Sequence, residues 1–315
     1  RSHQKRMPHI MSAKAWLLLL CLSFIWGASF YFVEIGLAYL DLFWLVSLRL
    51  CSGATALYLW FRSRRLTLPK DRRFWLTAMV MGALNNVIPF TLIAYGQQFV
   101  TGGLASIVNA NTAFISVIIS GIFVASEPAR WNRIAGVLIG VFGVGIAIGV
   151  GSPQAGHSDG SELIGGVAII LATVSYAFAA VWGRLKLTGY TPIQGAVGML
   201  ICSAAVSLLA SCLISGQPGL RLTHNVFDGV QLLVGLGVLG TALAYLLYFR
   251  ILQLAGSSNL MLVTIIVPVF AVALDAAILG QFVTGRNLLG FAVVAVGLLV
   301  LDGRLAERLK KGASE

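Results

Sequence analysis

Three ionisable side chains, Glu34, Arg49 and Asp275, stand inside long apolar runs of this sequence. A charge in hydrocarbon is costly, so each such residue is a functional candidate by default. Arg49 lies about seven residues into the second run, roughly 11 Å deep at about 1.5 Å per residue. Glu34 and Asp275 fall in the same half of the bilayer. Two chemistries follow: Arg49 forms a structural ion pair with one of the acids, or it binds the carboxylate of a substrate. In the ninth run Thr264, Pro268, Ala271 and Asp275 follow i, i+4, i+7, i+11 spacing and share one inward face. Pro268 frees a backbone carbonyl that needs a partner in protein or water. A kink there is the expected hinge, with tight packing as the alternative.

A second group of candidates is aromatic and amide-bearing. Thr241, Tyr245 and Tyr248 form one face of the eighth run, and Thr91 and Tyr95 lie one turn apart in the third. Rings with hydroxyl handles suit flat, partly apolar solutes such as indole, phenyl or a planar cation. Tyrosines of an interfacial belt are the bland alternative. In the fourth run Asn109 and Asn111 lie about 200° apart on an ideal helix, so only one can face a cavity, and Asn109 is preferred. Trp26, Tyr176 and Trp182 complete the cavity candidates, with core packing as the competing role for each.

The sequence carries no HExxH, no P-loop, no Cys/His cluster and no plausible Ser/His/Asp set. No catalytic residue, metal or cofactor is therefore assigned. Cys21, Cys51, Cys202 and Cys212 lack ligand or redox spacing and read as small apolar packing residues.

The elements that must position these residues follow from composition. Of 315 residues, 58% are hydrophobic and only 10% charged, against roughly 25% charged in a soluble domain. Ten apolar runs are long enough to cross a bilayer as helices, at about 15–37, 42–62, 74–95, 101–124, 131–150, 162–186, 192–214, 228–249, 258–280 and 285–302. The first run is too long for a cleavable signal and reads as a retained helix. Arg1 to Arg6 precede any methionine and read as a remnant before a start at Met7 or Met11. The net charge of +11 follows the membrane, so no nucleic-acid partner is needed. With the N-terminus inside, the basic clusters at 62–73, at Arg130 and Arg133, at Arg184 and Lys186, at Arg250 and at 304–311 are cytoplasmic. Only Arg221 and Arg286 fall outside. This bias places both termini in the cytoplasm.

Shifting the chain by 154 residues aligns 91–148 with 245–302, matching Gly102 with Gly256, Gly136 with Gly290 and Gly143 with Gly297. A shift of 151 places Leu50-Cys51-Ser52 on Ile201-Cys202-Ser203. The expected organisation is an N-terminal cytoplasmic tail (1–14), a first five-helix repeat (15–150), a polar external linker (151–161), a second repeat (162–302) and a C-terminal cytoplasmic tail (303–315). Five is odd, so equivalent helices cross in opposite directions. Inverted repeats of this kind mark transporters, with the substrate site near the midplane, and a merely structural duplication is the alternative. The glycine run Gly136, Gly140, Gly143, Gly145 permits close helix approach, within the chain or between subunits. The partners expected are a small-molecule substrate and the lipid bilayer.

Trp26-Gly27-Ala28-Ser29-Phe30, Leu48-Arg49-Leu50, Glu127 with Gly136 and Gly143, Ala244-Tyr245, Pro268-Val269-Phe270, and Gly290 with Gly297 together resemble drug/metabolite transporters of the EamA type, in order and spacing along nearly the whole chain. The resemblance implies ten helices in an inverted pseudo-twofold arrangement, a central cavity lined by helices 1–4 and 6–9, peripheral helices 5 and 10, and alternating access. Within the family the chain looks most like the YddG-type exporters of aromatic amino acids, which implies a bacterial inner membrane. Two positions depart from the pattern. Phe114 stands where proline is frequent, and Gln281 where glutamate is usual. The expectation is thus an all-α membrane exporter, with a channel or a lipid-handling protein or enzyme as the alternative.

Overall fold

The computed structural model describes residues 11–123, 131–149, 161–216 and 226–303. Glu127, Arg130, Arg221, nearly all of the expected linker and most of both tails lie outside the described residues. Within them the chain is helical, and nine helices are long and apolar enough to span a bilayer, with a shorter tenth. In order they are α1 (Ala13–Tyr39), α2 (Leu42–Ser63), α3 (Arg72–Gly96), α4 (Gly102–Phe123), α5 (Trp131–Ala147), α6 (Ser161–Lys186), α7 (Pro192–Ile214), α8 (Gly229–Gly256), α9 (Leu262–Leu279) and α10 (Gly285–Asp302). Two sides are distinguished below, one carrying the α1–α2 turn at Leu40 and the other the α2–α3 loop at Pro69.

Observed ends fall close to the apolar runs, except around the α8–α9 connection. There α8 continues to Gly256 rather than ending at 249, and α9 begins at Leu262 rather than 258. Hydropathy marks where side chains become polar at Arg250 and Gln253, whereas the backbone stays helical until Gly256 adopts φ +76°. Elsewhere caps set the ends. Ser12 and Asp71 accept backbone N–H groups at the starts of α1 and α3, and capping boxes at Thr191/Gln194 and Thr284/Asn287 begin α7 and α10.

Helices α5 and α10 pack along the glycines of the repeat. A Cβ on Gly136 would meet the Gly297 carbonyl at 2.8 Å, and one on Gly143 would meet the Gly290 carbonyl at 2.9 Å. The repeat equates Gly136 with Gly290 and Gly143 with Gly297, so each glycine meets the equivalent of the other. That exchange is the signature of a twofold relation between the helices. The architecture is two inverted five-helix repeats, and the glycine seam lies within the chain. Phe114 fills the same region, its ring lying over Gly140, fully buried.

The two halves also meet on the Pro69 side. Tyr190 Oη donates to Asp71 (2.7 Å), and Gln194 Nε2 donates to the Thr67 carbonyl (2.9 Å). The Tyr190 hydroxyl holds the Asp71 carboxyl below the usual carboxylate range, and the same bond raises the phenol. A depressed carboxylate contributes stability above the ordinary range, and loses it as pH falls through its own lowered value.

Two outcomes are expected. Gly297→Leu should cost about 1–3 kcal/mol by overpacking and lower the thermal midpoint of purified protein. Gly145→Leu, whose Cβ meets nothing within 4 Å, should leave it nearly unchanged. Limited proteolysis of the 64–71 loop should rise on acidification in the native protein and already be high at neutral pH in Asp71→Asn.

Candidate functional site

The packing of α2 on α8 brings a guanidinium to mid-depth. Gly53 and Gly237 are packed tightly enough that a Cβ on Gly53 would lie 2.8 Å from the Thr241 side chain and 3.1 Å from the Gly237 carbonyl. Arg49 stands one turn before Gly53 on the same face of α2, so the close approach carries it to α8. Its Nε donates to Thr241 Oγ1 (3.3 Å), and its Cζ lies 3.8 Å from the centroid of the Phe90 ring of α3. The Tyr176 and Tyr245 phenols are within electrostatic range. Neither terminal nitrogen of Arg49 has a hydrogen bond or ion pair among the described residues. A cation over an aromatic face gains about 2 kcal/mol when desolvated, less than a buried charge needs without a counter-ion.

Beside Arg49 runs a chain of polar groups linking three helices. Asn85 Nδ2 donates to Tyr245 Oη (2.9 Å), and Tyr245 Oη donates to Asn86 Oδ1 (3.1 Å). Asn86 Nδ2 donates to Ser203 Oγ (2.9 Å), which donates to the Met199 carbonyl (2.7 Å). Aromatic rings border this chain. Trp26 lies 6.1 Å from Tyr248, and Tyr245 stacks on Phe249 at 6.3 Å. Two of the three helices that supply the chain are locally π-helical, α3 over Ala83–Val87 and α8 over Leu233–Leu243. The 154-residue shift carries 83–87 onto 237–241, so the irregular turn recurs at equivalent places in both halves. Such turns concentrate at functional sites because they re-aim side chains and free carbonyls.

A separate polar cluster lies near the Leu40 side. Glu34 Oε2 of α1 accepts from Gly102 N–H (3.0 Å), and Asp275 Oδ2 of α9 accepts from Gly103 N–H (2.5 Å). Both acids thus sit on the amino terminus of α4, where unpaired N–H groups and the helix dipole favour negative charge. Gln281 Nε2 donates to the other Glu34 oxygen (2.6 Å).

The model of the EamA-like transporter family matches residues 13–149 and again 163–301, one match for each half. The chain belongs to the EamA-like transporter family. Among relatives of this EamA protein, Protein PagO of Salmonella typhimurium is 25% identical, over 90% of this chain and 91% of its own. The uncharacterized transporter YoaV of Bacillus subtilis is 23% identical, over 91% and 96%. A probable amino-acid metabolite efflux pump of Salmonella typhimurium is 25% identical, over 92% and 95%. A solved crystal structure shares the fold with a TM-score of 0.64 at 18% identity, covering 94% of this chain and 99% of the other. The protein is a multi-pass membrane transporter.

Within this EamA transporter, the structure gathers Trp26, Arg49, Tyr176, Thr241, Tyr245 and Tyr248 at mid-depth. Other candidates lie elsewhere. Tyr95, one turn beyond Thr91, is 39% exposed and packs on Phe99. Trp182 donates to the Thr77 carbonyl (3.3 Å) and lies under Lys186, joining α6 to α3. A turn at Ala110 and Asn111 interrupts α4 just after Asn109, so the angle expected for a continuous helix does not apply. The side-chain oxygens of both are buried without a partner. Thr91 and Thr264 are half-buried, and no side-chain hydrogen bond joins either to the polar chain. Pro268 is buried where α9 packs against Gly27 of α1. The ion pair expected of Arg49 is not formed. The acids lie nearer the Leu40 side and are turned onto α4, whereas the guanidinium is turned onto α8.

Asn85, Asn86, Phe90 and Ser203 are functional candidates that the search for ionisable residues passed over, and Gln281 stands out in the sequence only as a departure from the family pattern. The signal was present in Asn85-Asn86, two adjacent amides in an otherwise apolar span, since polar groups avoid lipid. Tyr245→Phe should leave the fully buried Asn86 short of a donor at a cost of about 1–3 kcal/mol. Tyr248→Phe, which breaks no hydrogen bond, should change the thermal midpoint little.

Proposed function

We propose that this transporter exports aromatic amino acids and related planar solutes by alternating access. The observation that carries the reading is Arg49, a guanidinium at mid-depth with no acidic partner among the described residues, set among Trp26, Phe90, Tyr176, Tyr245 and Tyr248. A cation so placed is completed by an anionic group of the ligand, and a carboxylate matches its fork through two parallel hydrogen bonds. The rings supply flat apolar faces, while Asn85 and Tyr245 offer polar contacts beside them. The relative named as a probable amino-acid metabolite efflux pump supports the same substrate class. In this reading the Leu40 side is external, both termini are cytoplasmic and the membrane is the bacterial inner membrane.

Transport of labelled phenylalanine, tyrosine and tryptophan into proteoliposomes is the test, at matched protein content. Losing one partner of a buried charge pair costs about 2–5 kcal/mol, so Arg49→Gln should weaken half-saturation by about thirtyfold or more. Arg49→Lys should recover only part of it, because an ammonium lacks the planar fork. Tyr245→Ala should weaken affinity several-fold, since an aromatic pair contributes about 0.5–1.5 kcal/mol beyond area burial. The substrate assignment fails if none of the three amino acids moves while another solute class does. The assigned face of α8 loses support if half-saturation is unchanged in Tyr245→Ala.

A further inference from the structure

Glu34 and Asp275 come from opposite halves of the chain and meet on the first two residues of α4. A Cβ at Gly102 would lie 3.3 Å from Glu34 Oε2 and 3.3 Å from each Asp275 oxygen, so the two carboxyls close tightly around this glycine. The helix terminus accounts for only part of this cluster. Asp275 is 1% exposed, and its Oδ1 is buried with no hydrogen-bond partner. Gln281 Oε1, in the turn after α9, is likewise buried and without a donor. Gln97, 6% exposed, donates to the Phe30 carbonyl one turn from Glu34, and its Oε1 is a third unpartnered acceptor.

The cluster is therefore rich in acceptor oxygens and short of donors. Among the described residues no basic group makes up the difference. The charged group acting on Asp275 from the described elements around it is Glu34. From α4 come only backbone N–H groups, from α1 Glu34, and from the α9–α10 turn the neutral Gln281. Arg286 at the start of α10 is paired with Glu162 (2.8 Å), and Arg49 is turned onto Phe90 and Thr241. Two ionised carboxylates this close repel in a medium of low dielectric, and a buried oxygen without a donor costs about 1–3 kcal/mol.

We infer that Glu34 and Asp275 form a proton-binding site in which one shared proton closes the Leu40 side by holding the amino terminus of α4 between the two halves. The proton supplies the missing O–H donor and removes one of the two charges. Loss of the proton leaves two adjacent carboxylates, which separate to regain water. Because Glu34 moves with the first half and Asp275 and Gln281 with the second, that separation opens the Leu40 side. This goes beyond the reading of Arg49 as a ligand anchor and uses none of the same side chains.

The test needs no transported substrate, so its failure is distinguishable from failure of the substrate assignment. Full-length protein in lipid nanodiscs is brought from about pH 5 to about pH 8, a range above the ordinary carboxylate values. Infrared difference spectra follow protonated carboxyl groups. Hydrogen-exchange mass spectrometry follows the amides of residues 102–104, corrected for intrinsic rates. The native protein should lose one carboxyl band while exchange at these amides rises by about tenfold or more as the segment opens. Asp275→Asn should lack the band and show exchange independent of pH. Glu34→Gln, which keeps Asp275, should alter the band and weaken the coupling. The inference is overturned if the band survives in Asp275→Asn, or if exchange at α4 is indifferent to pH in the native protein. It is also overturned if added sodium at constant pH shifts the exchange as alkali does, which would make the cluster a metal-cation site.

Discussion

In hydrocarbon no water stands ready to satisfy a stray polar atom, so every amide, hydroxyl and charge inside the bundle has to be answered by protein or ligand. Much of the arrangement seen here follows from that constraint. Serines along the helices return their hydroxyls to carbonyls one turn back, as Ser23 does to Leu19 and Ser203 to Met199. Asn85, Asn86, Tyr245 and Ser203 answer one another across three helices. Where the answers stop, function becomes the explanation that remains. The terminal nitrogens of Arg49 and the free oxygen of Asp275 stand at two such places, one wanting an acceptor and the other a donor.

Close backbone approach is what makes room for this pattern. Apolar side chains gain nothing by leaving lipid for each other, so association rests on packing, and small residues permit it. Glycines accordingly mark several of the helix contacts that matter. The α5–α10 seam joins the peripheral helices across the pseudo-twofold. Gly53 against Gly237 brings Arg49 to α8, and Gly27 lets α9 lie against α1 beside Pro268. The seam is the same device at both of its crossings because the repeat supplies it twice.

The two sides of the bundle are joined differently. On the Pro69 side Tyr190 and Gln194 meet Asp71 and Thr67 through exposed contacts, which water weakens. On the Leu40 side an exposed bond from Ser215 to Asp41 is accompanied by a buried pair of carboxyls on a helix terminus. A buried polar cluster has two discrete conditions, satisfied or hydrated, whereas an exposed one is always within reach of water.

The amino-acid sequence alone determined the class of molecule, the number of spans and the duplication, because hydropathy, length and repeat spacing are properties of the chain read in one dimension. It also marked Arg49 and Tyr245, since a charge or hydroxyl in an apolar run is anomalous wherever the chain goes. Partners could not be read in this way. Glu34, Arg49 and Asp275 occupy the same half of the bilayer, and depth along an axis says nothing of rotation about it. Only the tertiary packing decided that α2 turns its arginine to α8 while α1 and α9 turn their acids to α4. Likewise π-helical turns occur in α3 and α8 where Asn85 and Asn86 meet Tyr245. Rotation of each helix is set by which neighbour its small residues can approach, and that is a property of the assembled bundle.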